Sequence, residues 1–106
     1  MPRTAKRLAQ TALSTTTAAI YTAPASTTAQ ITEVFICNTG TTARTVNFTT
    51  GGTFSTNSII IGLAVSGTAS IILEDKKIVV PASAIFGGFQ SAGTDIVVTV
   101  FGIEET

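Results

Sequence analysis

The residues able to do chemistry are few. The chain of 106 residues carries six acids and six bases, no histidine and one cysteine. Two carboxylates facing one bond can hydrolyse a glycoside. Here Glu74-Asp75 and Glu104-Glu105 are sequence neighbours, which reads as a solvated turn and an acidic tail. Glu33 lies in an apolar run and Asp95 at the start of another, and Glu33 is expected to pair with Arg44 on an adjoining strand. A serine nucleophile needs a base, and the sequence holds neither histidine nor a Ser-x-x-Lys arrangement. Cys37 has no basic neighbour, so it reads as a buried, reduced thiol. No phosphate-loop, dinucleotide, nucleophile-elbow, CxxC or HExxH pattern occurs, and no loop clusters oxygens for calcium. The expectation is a protein that is not an enzyme and takes no cofactor and no metal.

The elements beneath these residues read as strands. Val, Ile and Thr together number 41, a composition that suits a pleated, half-buried surface. Strands are expected over 18–22, 30–38, 43–50, 58–65, 68–73, 77–80, 83–86 and 95–103. Turns are expected at 23–26, 38–42, 66–67, 74–76 and 92–94, with a seven-residue loop over 51–57. Eight or nine short strands with turn signals between them predict an all-β, antiparallel β-sandwich of jelly-roll type. Two strands, 30–38 and 95–103, are apolar on both faces, so the second face is expected to be covered, in part by another subunit. Ile59-Ile60-Ile61 and the run from Val97 to Phe101 would aggregate on a free edge and are expected to be covered.

Residues 1–16 stand apart, holding Arg3, Lys6 and Arg7 and no acid. A short helix and an extended arm both fit, and so do a frayed terminus and a basic arm that orders on a partner. The division expected is therefore a basic arm over 1–16 and one sandwich domain over 17–106. The amino-terminal stretch lacks the apolar core of a signal peptide, and no run approaches the length that spans a bilayer. Synthesis in a cytoplasm is expected. Asn47-Phe48-Thr49 then reads as strand sequence rather than a glycosylation acceptor.

Charged residues make up only 11% of the chain, replaced largely by 21 Thr, 14 Ala, 9 Gly and 8 Ser. The formal net charge is zero, which leaves no electrostatic footprint for nucleic acid. Such a neutral surface suits close protein contacts, and no membrane partner is indicated. Phe54, Phe86 and Phe89 lie in or near loops. Each is expected to plug an end of the sandwich, or, for Phe54 or Phe89, to anchor an interface.

Several segments carry a family resemblance: Lys6-Arg7-Leu8-Ala9-Gln10, Ile20-Tyr21-Thr22-Ala23-Pro24-Ala25, Ile36-Cys37-Asn38-Thr39-Gly40 and Val100-Phe101-Gly102-Ile103-Glu104. Together they resemble small β-sandwich virion proteins of tailed bacteriophages, over almost the whole chain. The Glu74-Asp75-Lys76-Lys77 turn departs from that pattern, which has a glycine-aspartate pair there. The resemblance implies a capsid decoration, or cement, protein: a homotrimer on the outer surface of the head, made in the host cytoplasm and bridging subunits of the major capsid protein. Arg3, Lys6, Arg7, Phe54 and Phe89 are the partner-binding candidates. The alternative is a tail or tail-tip module, structural or receptor-binding. Scarce Tyr and Trp argue against a glycan platform.

Overall fold

The structure is a computed structural model that describes residues 3–106, apart from the side chains of Phe54 and of residues 75–77. Among the described residues there are eight strands: β1 (Arg3–Ala12), β2 (Ala18–Thr22), β3 (Thr28–Asn38), β4 (Arg44–Thr49), β5 (Ser58–Val65), β6 (Ser70–Val80), β7 (Ile85–Gln90) and β8 (Ile96–Glu105). One four-residue helix, α1 (Phe54–Asn57), occupies the loop expected before β5. The strands form two four-stranded sheets, ordered β1-β8-β3-β6 and β2-β7-β4-β5, here called sheets A and B. Each strand pairs antiparallel with its counterpart from the other half of the chain: β1 with β8, β2 with β7, β3 with β6, β4 with β5. This is the jelly roll, and it bears out the expected fold class.

The strand count matches expectation through two compensating differences. Residues 68–73 and 77–80 belong to one strand, β6. Its ladder with β3 runs from Glu33 opposite Glu74 to Ile31 opposite Ile78, so Thr32 alone faces residues 75–77. The Glu74-Asp75-Lys76 stretch is therefore an irregularity within a strand and not a hairpin turn.

The expected arm is the other difference. Residues 3–12 are β1, paired with β8 from Arg3 opposite Glu105 to Ala12 opposite Val97, with Leu8 and Ala9 packed on the core. Two of the three bases find acids at the far end of the chain. Arg3 Nε lies 2.8 Å from Glu105, and Lys6 Nζ lies 3.1 Å from Glu104, a residue 98 positions away. A boundary at residue 17 would cut the first strand off the sheet it edges. Residues 1 and 2 lie outside the described residues.

The core fills the space between the sheets. Ile31, Val34, Ile36, Val98 and Val100 enter from sheet A, and Val46, Phe48 and Phe86 from sheet B. The rings of Phe48 and Phe86 stack with centroids 5.4 Å apart, so Phe86 is a central core residue and not an end plug. Two buried amides fix the ends. Gln90 donates to the Leu13 carbonyl and accepts from Ile96 N at 3.3 Å, holding the chain where it leaves β1. Asn38 donates to the carbonyls of Thr42 (2.8 Å) and Val65 (3.2 Å) and accepts from Gly40 N, fixing the β3–β4 turn. Buried amides satisfied in this way specify one geometry, because any other would leave them unpaired.

Candidate interaction surface

A line of bulges crosses sheet A. Leu8 is the extra residue in β1 opposite Val100 and Phe101, and Thr32 is the extra residue in β3 opposite Phe101 and Gly102. Thr32 Oγ1 donates to the Phe101 carbonyl at 3.3 Å. Gly102 makes the line possible, since a Cβ there would lie 2.2 Å from the Gln30 carbonyl oxygen and 2.9 Å from Leu8 Cδ1. A bulge bends the strand and shifts the side-chain phase by one residue.

The phase shift decides which residues face out. Before Thr32 the inward residues of β3 are Ala29 and Ile31; after it they are Val34, Ile36 and Asn38. Strict alternation puts Ile31 with Phe35 and Cys37 on one face. The bulge separates them, sending Ile31 into the core and leaving Phe35 half-buried and Cys37 exposed on the outside. The expectation of a buried Cys37 is therefore corrected.

The outer face of sheet A is apolar across three strands. Phe35 of β3 and Phe101 of β8 meet edge to face, with centroids 5.6 Å apart and planes at 84°. Val97 and Ile103 extend the patch along β8 and are half-buried. Ile72 and Val79 of β6 are 49% and 52% exposed. One charged row crosses the face, with Arg7 opposite Phe101, Phe101 opposite Glu33, and Glu33 opposite Glu74, and beside it Gln10 donates to Thr99 at 2.9 Å. An open depression of about 490 Å³ follows the bulge line, with Arg7, Thr32, Glu33, Phe101 and Ile103 in its lining. The expected Glu33–Arg44 pair does not form. Arg44 lies in sheet B and bonds Asp95 at 3.0 Å, while Glu33 faces another carboxylate.

At the end of the sandwich Tyr21 of β2 donates to Glu104 Oε2 at 2.6 Å, and Lys6 donates to Oε1 at 3.1 Å. The Tyr21 bond, then the Lys6 bond and charge, hold the Glu104 carboxyl below its ordinary range against a smaller opposing effect of burial. Burial first, and the Glu104 bond and charge second, push the Tyr21 phenol well above its ordinary range. Among the described residues no group of three His, Cys, Asp or Glu side chains is placed to hold a metal ion.

The five candidate residues do not form one site. Arg3 and Lys6 are engaged with Glu105 and Glu104, and Arg7 donates to Gln10 Oε1 at 3.2 Å while lining the depression. Phe54 opens α1, and its side chain lies outside the described residues. Phe89 sits within β7, half-buried and paired with Asn47 of β4, so it belongs to sheet B. Asn47 is itself buried, and its Oδ1 accepts from Gly62 N at 2.9 Å, which fits the strand reading of that triplet. The residues missed by sequence were Ile72 and Val79. Their signal was the apolar outer half of the partner strand, whose true phase only the bulge sets.

No protein-family profile matches the chain, and no curated protein matches it in sequence. Its structure is similar to a chain in the cryo-EM structure of a virus-like particle of the extra small virus of the giant freshwater prawn Macrobrachium rosenbergii. The TM-score is 0.50 at 13% identity, covering 99% of this chain and 79% of that one. At that identity the likeness is one of fold, and it shows that the chain shares the β-sandwich of that particle's chain along essentially its whole length.

Proposed function

We propose that the chain is a structural protein of a virion, a capsid decoration (cement) protein that binds the outside of a phage head and stabilises contacts between major capsid protein subunits. The observation that carries this reading is the uncovered apolar face of sheet A, centred on the Phe35–Phe101 pair and flanked by Ile72 and Val79. A large exposed apolar patch on a sheet face marks a protein contact more often than a free surface. In this reading the face docks on the major capsid protein and on copies of the chain within a homotrimer, with Arg7 and Glu33 fixing register in the charged row that crosses it. The work is adhesion, not catalysis. The likeness to a virus-like-particle chain supports a place in a virion.

That likeness also favours a second reading, in which the chain builds the shell itself. One pair of measurements separates the two. The purified chain is mixed with heads that lack it, and separately incubated alone under assembly conditions. Saturable binding to heads, lost in Ile72→Lys and Val79→Lys variants that still fold, supports decoration. Closed particles formed by the chain alone support the shell. Copy number in purified virions gives the third arm: hundreds of copies place it in the head, and tens or fewer place it in a tail.

A further inference from the structure

The charged row on the outer face of sheet A is lopsided. Arg7 stands on edge strand β1, and Glu33 and Glu74 stand on β3 and the opposite edge strand β6, with Phe101 between. The ion pairs among the described residues join Arg3 with Glu105, Lys6 with Glu104 and Arg44 with Asp95, so neither Glu33 nor Glu74 meets a cation there. The two carboxylates stand directly opposite each other on the ladder, an arrangement that destabilises an isolated sheet. Arg7 donates only to the neutral Gln10 Oε1, and its guanidinium has further donors for an anion.

Bulk is lopsided in the same sense. In the rows on either side, β6 carries the exposed Val79 and Ile72, while β1 carries Ala5 and Gln10. Ala5 lies in the wall of the open depression along the bulge line. The β1 side of the face is therefore low and basic, and the β6 side is high, apolar and acidic. Such a face complements its own image turned about an axis along the strands.

We propose that a second copy of this chain covers the outer face of sheet A in the free protein, the two faces packed about a two-fold axis that runs between β8 and β3 and along them. The axis puts each Arg7 over the second copy's Glu74 and one strand spacing (~4.8 Å) from its Glu33, so one guanidinium serves both carboxylates. Each Val79 falls over Ala5 and enters the depression, and each Phe35 falls over the smaller Thr99. A two-fold axis across the strands would instead set Arg7 on Arg7 and Glu74 on Glu74, so charge selects the first. Aligned packing of two twisted sheets allows the contact. Four strands ~4.8 Å apart and four rows ~6.8 Å apart give a footprint of roughly 500 Å² on each chain, at the low end for a specific pair, so the dimer is weak and exchanges readily. The contact is isologous and closes at two chains. This occupant presupposes that the face is the contact surface of the proposed function; on a head the major capsid protein takes the second copy's place.

The test is sedimentation of the full chain from micromolar to millimolar concentration, with two charge reversals. Arg7→Glu sets acid over acid at both ends of the row, and Glu74→Arg sets base over base. Each should raise the dimer dissociation constant roughly tenfold or more. Both side chains are exposed, so both variants should melt like the parent. Mixed in equal amounts, the two variants should dimerise like the parent, because each reversed charge then faces its opposite. A monomer at every concentration, a trimer, a dimer indifferent to both reversals, or a mixture that stays monomeric would each overturn the proposal. Binding to heads reads the proposed function separately. If Ile72→Lys loses head binding while the parent sediments as a monomer, the pairing falls and decoration stands. If the mixture is rescued and the parent never binds heads, decoration falls and the pairing stands.

Discussion

Tyr21 of β2 gives its phenolic hydrogen to Glu104 of β8 at 2.6 Å, a bond that joins sheet B to sheet A at one end of the sandwich. Lys6 of β1 binds the other carboxylate oxygen, so three strands meet on one acid. Replacing Tyr21 with Phe should cost about 1–2 kcal/mol, since a hydrogen bond to a charged group is lost while Lys6 still pairs the acid. The cluster also has a pH signature. The Glu104 carboxyl is depressed in the folded chain, so its contribution is present above the ordinary value of 4.5 and fades as pH falls below it. Tyr21 is raised, so its contribution is present below the ordinary phenol value of 10.0 and is lost as pH climbs above it. Chemical denaturation across pH should show both slopes in the parent. The acid slope should shrink in Glu104→Gln, and the alkaline slope should vanish in Tyr21→Phe.

Cys37 should react in the folded protein. It is exposed on the outer face of sheet A. A thiol reagent should label it at neutral pH without denaturant, at a rate within roughly tenfold of the unfolded chain. If that face docks in an assembly, labelling should slow once the chain is bound to particles.

Gly102 should not tolerate even a methyl group. A Cβ there meets the Gln30 carbonyl oxygen at 2.2 Å, and backbone cannot rotate away as a side-chain tip can. Gly102→Ala should destabilise the fold by roughly 2 kcal/mol or more, read from the midpoint of urea unfolding. Gly52→Ala, at a position open to solvent, serves as the control.

Deleting residues 3–12 should damage the fold. The deletion strips β1 from β8, removes Leu8 and Ala9 from the core and opens an edge along Val97 to Phe101. The melting temperature should fall by roughly 10 °C or more, and the truncated chain should associate through the bared edge. An unchanged melting curve would mean that β1 contributes little to the sandwich.

The sequence by itself determined the material of this protein. β-branched residues and frequent turn signals prescribed an antiparallel sandwich, and the bounds of β2 and β5 were legible to the residue because turn residues flank both. The apolar excess on residues 30–38 and 95–103 announced an uncovered face before the sheets were known. Tertiary structure decided what depends on distant partners. Arg3 and Lys6 read as a free basic arm because Glu105 and Glu104 lie at the opposite end of the chain, and only the closing of β1 on β8 brings them together. The facing of Cys37 was hidden for a different reason. Alternation carries a strict period of two, and a single extra residue at Thr32 inverts every side chain after it. That bulge is set by Gly102 and Leu8 on neighbouring strands, so no reading confined to β3 could place it.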